Sequence, residues 1–450
     1  MPEPTPKPLV AAVEMGYGHL RAARSLAEAL GEPVVLADRA PLAAPAEQRL
    51  WRRARLAYET TSRLSQLPLV GAPLRWAMDE LTAIPHLHPL RDLSTPTRAV
   101  RALHRLIEKD LGSGLLEELR RTGRPLLTTF YSPAILADCA GVSDVWCVVT
   151  DTDVNRIWAP RDARQSRIRY LVPTPRAGRR LRQYGVPADH ITCTGFPLPD
   201  ALLGGPGLGA LRRNLTSRLV RLDPSGAFRR EHPEELAHFL GPLPAWEECA
   251  PPLLTFAVGG AGAQADLARL FLPSLRRPLA EGRLRVALAA GTKPQTKAAF
   301  EEALRAAALL DAPPGAVEVL YEPEVDRYLD QMNALLARTD VLWTKPSEMT
   351  FYAALGLPLV LASPVGAHER INRRWVRESG AGVKQRDPRF AGEWLTEMLV
   401  DGALAAAAWA GYMRLPKFGL YRILEAVGAC AGPGSRALEH LRAGEPRANA

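Results

Sequence analysis

A chain of 450 residues exceeds what one ordinary hydrophobic core organises, so two or three domains are expected. A composition of 47% hydrophobic and 23% charged residues excludes a disordered chain, and no apolar run reaches the ~18 residues of a membrane-spanning helix. The net charge of +9 fits an anionic surface, an anionic small substrate or a plain bias toward arginine; no basic stripe with interleaved stacking aromatics occurs, so no nucleic-acid partner is expected.

The five cysteines (Cys139, Cys147, Cys193, Cys249, Cys430) lack CxxC spacing, which argues against a disulfide framework or a zinc site and for a reducing compartment. Met1–Pro8 has no apolar signal core, so a cytoplasmic location is expected.

In chain order, short apolar runs alternate with helical patterns, the signature of parallel α/β units. Strands are predicted at 8–13, 33–36, 125–129, 145–150, 169–172 and 191–194, then at 253–258, 284–289, 316–321, 341–345, 357–362 and 382–384. Each set suffices for one doubly wound sheet. The expected fold class is therefore α/β with two Rossmann-like doubly wound domains, at 1–200 and 201–400, followed by C-terminal helices and a frayed tail over 401–450. The Gly/Pro-rich passage Phe196–Gly209 marks the boundary, and a connecting insertion with the basic helix "LRRNLTSRLVRLDP" follows.

Between about 39 and 124 no strand is predicted, only helices and loops. This insertion contains "RLWRRARLAYETTSRL", "LPLVGAPLRWAMDEL" and "HLHPLRDL". A helix mixing Trp51 with Arg49, Arg52, Arg53 and Arg55 suits either a cap packed on the first domain or a lipid interface. Insertions this long usually carry function.

Three segments carry chemistry. In "AAVEMGYGHLRAARSLAEAL" a strand ends near Val13, Gly16 and Gly18 make a tight turn, and a helix opens at His19 with the stripe Leu20, Ala23, Ala27, Leu30. The positive end of the helix dipole disfavours imidazolium, and a neutral ring accepts a proton; His19 is the candidate general base. In "LLTFAVGGAGAQADLARLF" a strand runs into Gly259, Gly260, Ala261 and Gly262, whose backbone N–H groups suit phosphate oxygens, although neither a Walker loop nor a full GxGxxG is present.

The third is "DVLWTKPSEMTFYAALGLPLVLASPVGAHERINRRWVRESGAGV". Here a strand leads to a short helix that Ser347 would cap and Gly356 would end, its N-terminus suited to a diphosphate with help from Ser347 and Thr350. His368, Glu369 and Asn372 then offer polar groups for sugar hydroxyls.

Taken in order, these segments resemble the inverting GT-B glycosyltransferases, among them the glycosyldiacylglycerol synthases and the enzyme that adds N-acetylglucosamine to lipid I. "MGYGHLRAARSLAEAL" is similar to the family's opening GxGH-helix, and "TKPSEMTFYAALGLPLVL" with "HERIN" to its donor-binding region. "VVTDTDVNRIWAP" followed by "YLVPTPRAGRRLRQYGVPADHITCTGFPLP" is similar to the diacylglycerol branch. The resemblance covers roughly 8–200 and 251–385. It implies two domains facing across a cleft and inverting transfer of a hexose from a UDP-sugar to an acceptor hydroxyl, often a lipid. No metal and no cofactor beyond the donor are implied. His19 would deprotonate the acceptor. Gly18, Gly259, Gly260, Ser347, Glu348, Thr350, His368, Glu369 and Asn372 would line the donor, and Tyr131, Asp151 and Trp158 the acceptor region. An anionic membrane surface or a lipid acceptor would be the partner, on the inner face of the membrane.

Three departures stand out. Ala353 occupies the place of a glutamate that holds the ribose in this family, with Glu348 on another part of the helix. Tyr131 and Asn155 stand where the diacylglycerol branch has histidines. Two other readings fit the same frame: a nucleotide-sugar epimerase, which would want extra carboxylates and no acceptor insertion, and a non-catalytic nucleotide-sugar or lipid binder.

Overall fold

The computed structural model describes residues 6–64, 83–259, 262, 264–364 and 366–428. Gly260, the segment "LPLVGAPLRWAMDEL" and the tail expected to fray lie outside the described residues.

All twelve predicted strands are present, each within about two residues of its expected ends. The first sheet comprises β1 (Leu9–Ala12), β2 (Val34–Leu36), β3 (Leu126–Thr128), β4 (Val145–Val148), β5 (Arg169–Val172) and β6 (Ile191–Cys193), ordered β2-β1-β3-β4-β5-β6. The second comprises β7 (Leu253–Ala257), β8 (Arg285–Gly291), β9 (Val317–Tyr321), β10 (Val341–Thr344), β11 (Leu359–Leu361) and β12 (Gly382–Lys384), ordered β12-β11-β10-β7-β8-β9. Every pairing is parallel. Helices cover both faces of such sheets, so β1, β3, β4, β7 and β10 are buried at every position and read as largely apolar runs, with Thr128, Thr255 and Thr344 as their polar members.

Each sheet reverses its winding once, between β1 and β3 in the first and between β7 and β10 in the second. In open α/β sheets, ligands bind outside the carboxyl ends of the strands at such a reversal. The glycine turns found in the sequence follow β1 and β7 at these two places.

Helix α1 (Tyr17–Leu30) follows β1. It begins two residues before the expected start, because Gly16 adopts φ 124° and completes the turn at its N-terminus. Leu20, Ala23, Leu26, Ala27 and Leu30 are buried, and Gly31, in the left-handed region, ends the helix by donating its N–H to Ala27 and Glu28.

The insertion in the first domain is helical, with no strand among its described residues. Among those residues helix α2 (Pro45–Leu64) comes first, and helices at Arg98–Ile107 and Ser113–Thr122 follow. Trp51 packs against the first domain's core. Its indole N–H donates to Glu47 Oε1 at 3.2 Å, and the same oxygen accepts the Gly112 N–H at 3.1 Å. The Gly112 bond and the packing of Trp51 hold this end of α2 in place, while Leu50 and Leu56 stay exposed.

The chain divides into two compact units: Met1–Leu208, Gly366–His368 and Pro416–Ala450 in one, Gly209–Val365 and Glu369–Leu415 in the other. The stretch from 401 is helical where described, with helices at Ala403–Arg414 and Gly419–Ala426, and is shared between the units. Among the described residues no helix is long and apolar enough to cross a membrane.

The connecting basic helix (Gly209–Arg221) is structural. Arg218, fully buried, donates to the carbonyls of Thr339 at 2.7 Å and Leu355 at 2.8 Å. Arg221 Nε reaches both oxygens of Asp340 at 2.9 Å, and Asp340 accepts the Leu253 N–H that begins β7 at 2.8 Å. Two arginines thus tie this helix to the starts of β7 and β10.

Candidate active site

At the reversal of the first sheet, the first turn of α1 brings in His19, and the segments after β3 and β4 bring its partners. His19 Nδ1 lies 2.7 Å from the carbonyl oxygen of Thr129 and 3.2 Å from the hydroxyl of Thr150. A carbonyl only accepts, so Nδ1 of the neutral ring carries the proton and the lone pair sits on Nε2. The Thr129 hydroxyl returns a hydrogen bond to the His19 carbonyl at 2.9 Å, pinning the helix start to the end of β3. The geometry holds the ring in one orientation with a defined tautomer.

Aromatic rings wall this imidazole. Phe130 meets it edge-on with centroids 4.7 Å apart, and Trp158 lies at 6.2 Å. Tyr131 contacts both, at 4.3 Å from Phe130 and 5.6 Å from Trp158. Burial pushes the Tyr131 hydroxyl up to about 12, so it stays a neutral hydrogen-bonding group near pH 7. Tyr131 opens helix α3 (Tyr131–Cys139), and Asp151 follows Thr150 at the end of β4. The structure therefore gathers His19, Tyr131 and Trp158 in one cluster, with Gly18 and Asp151 adjoining it along the chain. Sequence reasoning missed Thr129, Phe130 and Thr150. Their signal was position: Thr129 and Phe130 fall within two residues of the carboxyl end of β3, at the reversal, and Thr150 within two of the end of β4, its neighbour. Asn155 lies farther along the loop, at the start of the 3₁₀ turn Arg156–Trp158.

In the second unit, Gly259 follows β7 and Lys345 follows β10. A Cβ on Gly259 would come within 2.5 Å of Lys345 Cε, so the glycine leaves room for the lysine stem in its present path, and a larger residue would make that stem shift. The Lys345 ammonium donates to Glu369 at 2.7 Å, and Glu369 is 1% exposed. Lys345 was not singled out from the sequence. It stands in the quoted "TKPSEMT", two residues before Ser347.

The element after Ser347 is a 3₁₀ helix, Glu348–Leu355, and the Ser347 side chain makes no capping bond, contrary to the expected cap. Thr350 is buried, and its hydroxyl donates to the Ser347 carbonyl at 2.7 Å, closing the first turn. Gly356, in the left-handed region, ends the helix as expected. Ala353 is fully buried, with its carbonyl where a Cβ on Gly411 would fall. Glu348 is half-buried at the opposite end of the element. In a 3₁₀ helix side chains eclipse every third residue, so Glu348 shares its row with Phe351 and Ala354. It is not in the row of Ala353.

Helix Ala367–Glu378 carries the remaining polar residues. His368 is half-buried in its first turn, and Asn372 is buried and donates to the Pro346 carbonyl at 3.2 Å. Glu369 and Asn372 thus each bond to the segment that leaves β10. Lys345–Glu369 and Pro346–Asn372 hydrogen bonds thus tie this helix to the end of β10 at the second reversal, with Gly259 beside the lysine stem.

No protein-family model and no curated protein sequence matches the chain. Among solved structures it is similar to the UDP-N-acetylglucosamine 2-epimerase of Neisseria meningitidis, bound to UDP-N-acetylglucosamine, with 10% identity over 95% of this chain and 100% of that one, TM-score 0.49. A similar match is a putative UDP-N-acetylglucosamine 2-epimerase from Listeria monocytogenes: 12% identity, 94% and 96% coverage, TM-score 0.49. A glycosyltransferase from Rickettsia africae follows with 10% identity, 94% and 98% coverage and TM-score 0.42.

Proposed function

We propose that the protein is a glycosyltransferase that moves a hexose from a UDP-sugar to an acceptor hydroxyl with inversion. The observation that carries this reading is the hydrogen bond from His19 Nδ1 to the Thr129 carbonyl, which leaves Nε2 as the proton acceptor at a ligand-binding edge. The acceptor hydroxyl gives its proton to Nε2, and its oxygen attacks the anomeric carbon as the bond to the diphosphate breaks. The aromatic cluster of Phe130, Tyr131 and Trp158 offers the acceptor an apolar surface, which suits a lipid taken from the inner face of a membrane.

Donor binding is assigned to the second unit. The backbone N–H groups at the start of the 3₁₀ helix and the Lys345 ammonium beside Gly259 supply positive potential for a departing diphosphate. Ser347, Glu348 and Thr350 belong to this donor side, His368 adjoins it along the chain at the start of helix Ala367–Glu378, and Glu369 and Asn372 support it by holding Lys345 and Pro346 in place.

The test pairs turnover with binding. Purified protein is given UDP-glucose, UDP-galactose or UDP-N-acetylglucosamine, with and without diacylglycerol vesicles, and UDP release is followed. His19→Ala should lower turnover by roughly 10²–10⁴-fold while UDP affinity, read by calorimetry, stays within about twofold. Unchanged turnover in that variant removes the mechanism. Conversion of UDP-N-acetylglucosamine to its 2-epimer without an acceptor replaces transfer by epimerisation. UDP binding with no turnover on any donor leaves a binding protein.

A further inference from the structure

Beside the His19 loop, the first unit holds a cavity of about 400 Å³ lined by Asp38, Arg39, Gln48, Trp51, Arg52 and Arg55. Its size falls within the ~300–1,000 Å³ of small-molecule sites. Strand register explains its place. Ala12 of β1 pairs with Leu36 of β2, so two residues on Glu14 and Asp38 stand level at the carboxyl edge, and the Glu14 N–H donates to Asp38 Oδ1 at 3.2 Å. Arg39 follows Asp38. Arg52 and Arg55, three apart on α2, present to the same side.

The charges do not cancel. Glu14 is shared by two guanidiniums, pairing with Arg39 and, at 2.8 Å, with Arg55. Each guanidinium carries five donors, and among the described residues Glu14 is the sole side-chain partner of both. Arg52 is exposed and has no hydrogen-bond or ion-pair partner among the described residues. The remaining carboxyls are weak competitors. Burial raises the pKa of Asp38, and burial likewise raises that of Glu47, whose oxygen already serves Trp51 and Gly112. Surplus planar donors converging on one cavity fit a multiply charged oxyanion better than a single carboxylate, because guanidiniums bind phosphate oxygens in pairs. Trp51 supplies a flat wall for whatever carries that anion.

We propose that Arg39, Arg52 and Arg55 form an anion subsite that takes the phosphate of a phosphate-bearing acceptor, either a soluble phosphomonoester or a lipid headgroup. The assignment to an acceptor rests on the transfer reading above; the affinity for phosphate does not. Glu14 holds Arg39 and Arg55 in place when the subsite is empty. It lies five residues before His19, on the loop that leads into α1, so an anchored phosphate positions the rest of the acceptor near the base.

The experiment uses the full chain and two phosphate probes, sn-glycerol 3-phosphate in solution and phosphatidic acid in phosphatidylcholine vesicles, with phosphatidylcholine alone as control. Both titrations are run with UDP present, and wild type is compared with the Arg52→Gln/Arg55→Gln variant and with Arg52→Glu. Loss of about 10-fold or more in affinity for either probe, with UDP affinity and thermal midpoint unchanged, supports the subsite. A loss confined to glycerol 3-phosphate assigns a soluble ligand, and one confined to vesicles a lipid headgroup. Equal binding by wild type and variants, or no binding of either probe by wild type, overturns it. Failure of the transfer reading looks different: His19→Ala leaves turnover unchanged while the arginine variants still lose phosphate.

Discussion

Two groups of arginines in this molecule look alike in sequence and behave oppositely in the structure. Arg218 and Arg221 of the connecting helix are turned inward, their donors spent on Thr339, Leu355 and Asp340. Arg39, Arg52 and Arg55 line an open cavity, with one shared carboxylate among them. A guanidinium's role is thus set by whether carbonyls or carboxylates meet it on folding. The sequence-level excess of positive charge mixes structural arginines with ligand-seeking ones.

The largest effect that could break this comparison is at Arg221. Asp340 is fully buried, and removing its bidentate partner leaves a carboxylate without adequate compensation. Arg221→Ala should destabilise the protein by about 3 kcal/mol, the low end for breaking a buried pair, because Arg218 remains nearby. The urea midpoint followed by tryptophan fluorescence reads this. Adding Asp340→Asn should recover part of the loss, since it removes the buried charge rather than a contact. A shift under about 1 kcal/mol in the single variant would place Arg221 with the surface arginines.

The difference between the groups was hidden in sequence for a physical reason. Strands were readable because parallel strands buried on both faces are largely apolar, as in "LVAA" at β1 and the "VLW" that opens β10. The glycine turns and His19 were readable because they interrupt that pattern at strand ends. Contacts across register were not. Thr129 reaches His19 over 110 positions and Arg218 reaches Thr339 over 121, and neither pairing has a periodic trace. The expected cap by Ser347 failed for a related reason. The 3₁₀ turn is closed by Thr350 bonding back to the Ser347 carbonyl, a choice between two hydroxyls that spacing does not decide. The glycine at 259 gave no hint of the Lys345 stem beside it, which depends on β7 and β10 being neighbours.

A third cation sharpens the comparison. Burial lowers the pKa of Arg218 to about 10 and that of Lys417 to about 8. The arginine therefore stays charged at pH 9 while the lysine does not. Lys417 precedes the helix Gly419–Ala426, which packs on the chain at Gly195 and Phe196. Its folded pKa lies below the ordinary 10.5, so below about pH 8 both states are protonated and it adds no pH dependence. Between about 8 and 10.5 the unfolded chain binds more protons, and stability contributed by this group rises with pH. Lys417→Met should abolish that rise. The measurement is the thermal midpoint of both proteins at pH 7.5 and 9.5; an unchanged pH difference between them would show Lys417 to be hydrated in the folded state.

The smallest expected effect is the most discriminating for the cavity. Arg52 is exposed and without a partner among the described residues, and Arg55 gives up one bond to a Glu14 that keeps Arg39. Exposed ion pairs contribute ~0–1 kcal/mol, and surface changes usually stay within ~0.5 kcal/mol. Arg52→Gln should therefore leave the urea midpoint nearly unmoved, and adding Arg55→Gln should shift it little further. Residues that contribute almost nothing to stability yet converge on one cavity are free to serve a ligand. If Arg52→Gln instead lowers stability by more than about 1 kcal/mol, Arg52 is wired into the fold as Arg221 is. The two groups of arginines would then differ only in depth.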